Sequence, residues 1–79
     1  MKARVYVTLK PGVLDPQGEA VRHALRNLGF DGVGSVRQGK MLDIDLDETD
    51  PSAAEAKLRE MCEKLLANTV IEDYSVELG

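Results

Sequence analysis

The chain has no tryptophan, and one phenylalanine, one cysteine and one histidine among its 79 residues. Each shortage excludes something. A single cysteine, Cys62, cannot close an internal disulfide. A single histidine, His23, leaves no Cys/His cluster at zinc-ligand spacing. A sheet that stacks RNA bases needs exposed aromatics on its central strands, and only Tyr6 qualifies. Basic residues are in deficit, 10 against 14 acidic ones for a net charge of −4, so a phosphate backbone is repelled rather than attracted. No apolar run approaches the ~20 residues of a membrane span. The first residues carry neither an apolar core nor twin arginines, and cytoplasm is the expected address.

Size adds a further constraint. A chain of 79 residues is at most one domain, read here as 1–79. It buries only about 60% of the surface its unfolded form exposes. Disulfides, a metal or self-association usually make up the difference. With the first two missing, a homo-oligomer, dimer or tetramer, is expected.

What is present is repeated punctuation. Asp15-Pro16 and Asp50-Pro51 each follow an alternating run and open a helical stretch; aspartate accepts from free amides at a helix start, and proline at the first helical position loses nothing. Gly29 and Asn68 are the residues suited to close the two helices in a left-handed conformation. Ala3, Val5, Val7 and Leu9 alternate with Lys2, Arg4, Tyr6, Thr8 and Lys10, the period of a half-covered strand. Ala20, Val21, Ala24, Leu25 and Leu28 make an apolar stripe at helical spacing, as do Ala54, Leu58, Met61, Cys62 and Leu65. Between the helices, residues 33–46 read as two strands meeting at Gln38-Gly39. The second of these turns Leu42, Ile44 and Leu46 inward, and the first, interrupted by Gly34, reads as an edge. Tyr74, Val76 and Leu78 are the inward face of a last strand. The expected fold is α+β, a ferredoxin-like β-α-β-β-α-β two-layer sandwich with a four-stranded antiparallel sheet and two helices on one face. In it Lys2 and Arg4 sit between Asp43, Asp45 on one side and Asp73, Glu77 on the other, an arrangement that supports the topology.

No catalytic constellation emerges. Cys62 falls within an apolar stripe, the place of an inert buried thiol, and His23 lies between Arg22 and Arg26 off the stripe of its helix. Arg37-Gln38-Gly39-Lys40 lacks the further glycine and the Ser/Thr of a phosphate loop. It reads first as a hairpin tip carrying two cations, and second as a contact for an anionic ligand or acidic surface. Asp43, Asp45, Asp47, Glu48 and Asp50 lack the glycine and closing glutamate of a calcium loop. Residues 11–18 contain no arginine, which sets an acylphosphatase aside. Val13 and Leu14 are apolar in a loop, either as a hydrophobic staple ahead of Asp15 or as an interaction loop. The 68–74 segment offers a similar choice between helix cap with strand start and contact patch.

The stretch Val5-Tyr6-Val7-Thr8-Leu9-Lys10-Pro11-Gly12-Val13-Leu14-Asp15-Pro16-Gln17-Gly18 resembles the signature of the PurS family, the small subunit of phosphoribosylformylglycinamidine synthase. So do Val36-Arg37-Gln38-Gly39-Lys40, Cys62-Glu63-Lys64-Leu65-Leu66-Ala67-Asn68 and Val70-Ile71-Glu72-Asp73-Tyr74. One departure is Thr69, where the family often has proline, which bears on the stiffness of that cap. The resemblance spans essentially the whole chain. It implies a non-catalytic assembly subunit of a carbon–nitrogen ligase in purine biosynthesis, joining a glutaminase subunit to a larger synthetase subunit. The glutaminase releases ammonia. The synthetase uses ATP and Mg to activate the amide oxygen of formylglycinamide ribonucleotide, and ammonia displaces phosphate to give the amidine. No cofactor is expected on this chain. The residues expected at partner contacts are Lys10, Val13, Leu14, Asp15, Gln17, Arg37, Lys40, Asn68, Ile71, Glu72, Asp73 and Tyr74. The alternative is a free-standing ACT-like regulatory domain, which shares the topology and binds amino acids between copies.

Overall fold

The computed structural model describes all 79 residues. Strand β1 (Lys2–Leu9) is followed by helix α1 (Pro16–Asn27), strand β2 (Gly39–Asp45), helix α2 (Pro51–Met61) continuing into a π-helical turn (Cys62–Leu66), and strand β3 (Glu72–Leu78). The fold is α+β, with one antiparallel sheet in the order β2-β1-β3. Registers place Val5 opposite both Leu42 and Val76, and Arg4 opposite both Asp43 and Glu77. The expected charge pattern follows, with Arg4 3.1 Å from Asp43. Being exposed, such a pair is worth little, about 0–1 kcal/mol.

The sheet has three strands where four were expected. Residues 33–37, read as the first strand of a hairpin turning at Gln38-Gly39, form no strand. Their backbone groups are engaged elsewhere: the Gln38 amide donates to the Asp15 carboxylate at 2.7 Å, and the Val36 carbonyl abuts Gly18 so closely that a Cβ there would lie 2.2 Å away. The chain enters β2 at Gly39 without a hairpin, so no cationic tip exists.

The core is small. Val5, Val7, Ala54, Leu58 and Cys62 are fully buried, with Ala3 and Ala67 nearly so, and Leu42, Ile44, Leu46, Tyr74, Val76 and Leu78 flank the cluster. Helix α2 supplies Ala54 and Leu58 and packs toward β3. Its stripe does not continue as sequence spacing suggests. In the π-helical turn the Ala67 amide donates to the Cys62 carbonyl at 3.0 Å, five residues back. The extra residue rotates the following side chains, so that Leu66 and Ala67 face the core and Leu65 is 82% exposed. Nor is Asn68 a left-handed cap, since no non-glycine residue has positive φ. Its side chain instead accepts from the Val70 amide at 3.2 Å, closing a turn.

At the other end of α2, Asp50 accepts from the Ser52 amide. Glu48 accepts from Lys57 Nζ at 2.7 Å and from the amides of Thr49 and Asp50. The Lys57 ammonium first, then those amides, hold the Glu48 carboxyl down at about 2. A lowered folded value means stability that is present above the unfolded value of 4.5 and is lost as pH falls toward 2. Glu48→Gln should flatten that part of the stability–pH curve, as read from thermal melts across the interval. An unchanged curve would show the Glu48 contacts to be without weight.

Helix α1 departs most from expectation. It starts as predicted, with the Asp15 carboxylate accepting from the Gly18 amide at 2.8 Å and Pro16 in the first turn. It ends as predicted too. Gly29 has φ 99° and donates to the Arg26 carbonyl, and Phe30 donates to that of Leu25. But it does not lie on the sheet; it makes at most isolated contacts with other elements. Val21, Leu28 and Phe30 are exposed. The radius of gyration is 16.0 Å, against about 12 Å for a compact chain of this length. The accessible surface, 5629 Å², exceeds by about 900 Å² what a compact protein of this mass presents. The two-layer sandwich is therefore half built: α2 and the turn after it cover β1 and the β3 side of the sheet, while the inward side chains of the β2 side, Leu42, Ile44 and Leu46, stay half-exposed where α1 was expected.

Candidate functional site

Most of the residues expected at partner contacts converge at one end of the sheet, because the strand order sets the exit of β1 beside the entrance of β3. The Lys10 amide donates to the Ile71 carbonyl at 2.8 Å, extending the β1–β3 ladder, and Lys10 Nζ reaches Asp73 at 3.0 Å. The Lys10 carbonyl accepts from the Val13 amide and from Arg37 Nη2, both at 2.9 Å. Arg37, a candidate for holding an anion, thus spends part of its fork on the loop backbone. Asp15 ties the same loop to residues before β2, and the Gln38 and Gly18 amides hold its carboxyl below the usual carboxylate range.

The facing turn is built from Asn68. Its carbonyl accepts from the amides of Ile71 and Glu72, and its own amide donates to the Glu72 carboxylate at 2.7 Å. Tyr74 donates to Glu63 at 2.8 Å, and that bond raises the phenol above its ordinary value. Lys10, Glu63, Thr69, Glu72, Asp73 and Tyr74 line a shallow depression of about 350 Å³. Gln17 and Lys40 are exposed and stand outside this network, Gln17 in the first turn of α1 and Lys40 on β2 opposite Val7.

Val13 is half-buried and Leu14 87% exposed. Leu14 is not a hydrophobic staple: the fourth helical position, its partner in such a motif, is the acidic Glu19. Three apolar residues that sequence reasoning placed on core-facing stripes are on the surface, Val21, Leu28 and Leu65; Phe30 and Val70 are exposed as well. Both leucines of Leu65-Leu66 are apolar, so composition carries no signal for which one faces out.

The arrangement offers contact and little chemistry. Burial pushes the Cys62 thiol up, away from thiolate formation. His23 is exposed on α1, 3.4 Å from Glu19. No group of three His, Cys, Asp or Glu side chains is placed to hold a metal. A second depression, about 500 Å³, opens on the face of the sheet away from α2, among Lys2, Arg4, Asp43, Asp45 and Glu77. No helix is long and apolar enough to cross a membrane.

Comparison with known proteins is decisive about kinship. The sequence model of the family described as PurS, phosphoribosylformylglycinamidine (FGAM) synthase, matches residues 2–79. The phosphoribosylformylglycinamidine synthase subunit PurS of Synechocystis is 52% identical over 75 residues, covering 95% of this chain and 75% of that protein. The structure of Bacillus subtilis PurS is 51% identical with a TM-score of 0.85, covering 96% of this chain and 94% of that one. A chain of the PurLQS structure from Thermotoga maritima is 32% identical with a TM-score of 0.88, covering 98% and 95%.

Proposed function

Because this chain belongs to the PurS family of phosphoribosylformylglycinamidine synthase subunits, we propose that it is the assembly subunit of that ligase, residues 1–79 acting as one unit that brings glutaminase and synthetase together. Full-length similarity to PurS proteins, including a chain of a PurLQS structure, carries this reading; it leaves the ACT-like alternative without support. In the complex the glutaminase supplies ammonia. The synthetase uses ATP and Mg to activate the formylglycinamide ribonucleotide amide oxygen, and ammonia replaces phosphate to give the amidine. The chain itself contributes surface, in the cytoplasm, where such an assembly works.

Two surfaces divide the task. The loop end, with Lys10, Val13, Leu14, Asp15, Arg37, Asn68, Ile71, Glu72, Asp73 and Tyr74, and with Gln17 and Lys40 at its margin, faces the larger subunits. Exposed Leu14 in a hydrogen-bonded loop supports this. The apolar stripe of α1 serves self-association. One molecule carries both a helix without a sheet and a strip of sheet without a helix, and a second copy related by a twofold axis satisfies both at once. The excess surface of about 900 Å² per copy is close to the ~800 Å² per partner that a stable interface buries.

Reconstitution tests the assembly role. Omitting this chain from the glutaminase and synthetase should lower glutamine-dependent amidine formation at least about tenfold while activity with free ammonia persists. Leu14→Asp and Arg37→Glu should each weaken capture of the larger subunits by at least about tenfold, since each removes a contact worth about 1.4 kcal/mol or more. Unchanged glutamine-dependent turnover without the chain would reject the role; unchanged capture by both variants would move the interface elsewhere.

A further inference from the structure

Helix α1 rides on an arm, residues 10–38, that leaves the sheet between β1 and β2. Three contacts fasten the base of this arm, and all join its outgoing limb to its returning limb. Asp15 uses both carboxylate oxygens, Oδ1 for the Gly18 amide at 2.8 Å and Oδ2 for the Gln38 amide at 2.7 Å. Gly18, buried although it lies near the start of the helix, lets the Val36 carbonyl approach to where a side chain would begin. Arg37 Nη2 reaches the Lys10 carbonyl at 2.9 Å. Beyond this base, α1 touches the other elements only in isolated contacts.

Nothing in chain length keeps α1 off its own sheet. The helix has 12 residues, about 18 Å, and residues 28–38 span about 36 Å when extended. With the base undone, residues 10–15 and 28–38 are long enough for α1 to turn back over the inner face of β2, where Leu42, Ile44 and Leu46 are half-exposed. That closed form would bury the same apolar face within one molecule. The two arrangements differ mainly at the base of the arm.

We propose that the Asp15–Gly18–Gln38 clasp is the conformational device that holds the arm open and so commits α1 to a second copy rather than to its own sheet. This rests on the self-association proposed above. Asp15 couples two roles through one carboxylate: the oxygen that caps the helix fixes its start, and the oxygen that takes the Gln38 amide fixes its direction.

Two variants separate these roles. In Asp15→Asn the side-chain oxygen still caps the Gly18 amide, since asparagine caps as well as aspartate, but its NH₂ meets the Gln38 amide as donor against donor. Gly18→Ala improves helix propensity yet places a methyl against the Val36 carbonyl. Light scattering should show both variants as monomers at concentrations where the parent chain is paired, with self-association weakened at least about tenfold. Spin labels at Arg26→Cys and Asp45→Cys, in chains diluted with unlabelled protein, report the separation within one chain; Cys62 is buried and stays unlabelled. That separation should shorten in both clasp variants as the arm closes. Pairing as in the parent chain, or an unshortened separation, would overturn the clasp. A parent chain that is itself monomeric would reject self-association alone, and shortening in Asp15→Asn would still read the clasp directly.

Discussion

Leu58→Ala is expected to cost about 2–5 kcal/mol, because a fully buried leucine is replaced by a cavity that a rigid surround fills only in part. Few proteins of this size can absorb that. Total stability near 0.05–0.15 kcal/mol per residue implies about 4–12 kcal/mol for the folded chain. The largest fully buried side chains, those of Leu58, Val5, Val7 and Cys62, are few to share the load. Leu58 is also the residue through which α2 reaches the centre of the sheet, in the same cluster as Val5 and Val7. In urea, followed by circular dichroism, the midpoint should fall by roughly 2 M or more. A shift equivalent to less than about 1 kcal/mol would mean that the cluster does not hold the fold together.

The second large effect is on assembly. Leu28 is 74% exposed in the single chain, so Leu28→Gln should leave the isolated molecule's melting nearly unchanged. If the α1 stripe is seated on a second copy, the same substitution removes a buried leucine worth about 2 kcal/mol, and twofold symmetry counts it twice. The dissociation constant should then rise roughly a thousandfold, about 4 kcal/mol. Sedimentation over a concentration series measures it. A variant that pairs as tightly as the parent chain would show that Leu28 lies outside any self-contact. Comparing the two substitutions is informative because their signatures are opposite: Leu58→Ala acts on folding, Leu28→Gln on pairing.

The strands were legible from alternation alone. Period two in residues 2–9, 42–46 and 74–78 specifies which side chains share a face, and the registers agree. Helix starts were legible as well, because Asp15-Pro16 and Asp50-Pro51 encode a local geometry. What could not be read was which surface an apolar stripe meets. Val21, Leu25 and Leu28 announce that a face is to be covered, and helical spacing is silent on whether the cover belongs to the same molecule. The lost fourth strand has a related cause. Residues 33–37 were judged on local pattern, whereas the amide of Gln38 and carbonyl of Val36 are claimed by residues about twenty positions away. Leu65 was misplaced because one extra residue in a turn is a backbone event with no signature in side-chain type. Lys10, Arg37, Ile71 and Asp73 come together once the last strand pairs with the first, and that pairing followed from the expected topology.

A three-stranded sheet has consequences at its margins. Without a fourth strand, β2 and β3 both end in unpaired backbone, the kind of border along which proteins join into ribbons. Both borders carry net negative charge, Asp43 and Asp45 against the single Lys40 on one, Glu72, Asp73 and Glu77 on the other, while Lys2 and Arg4 stay on the middle strand. Negative charge therefore outweighs positive wherever two such borders approach. An excess of acid over base along exposed strand edges disfavours their joining, one of the ways in which sheets protect such margins.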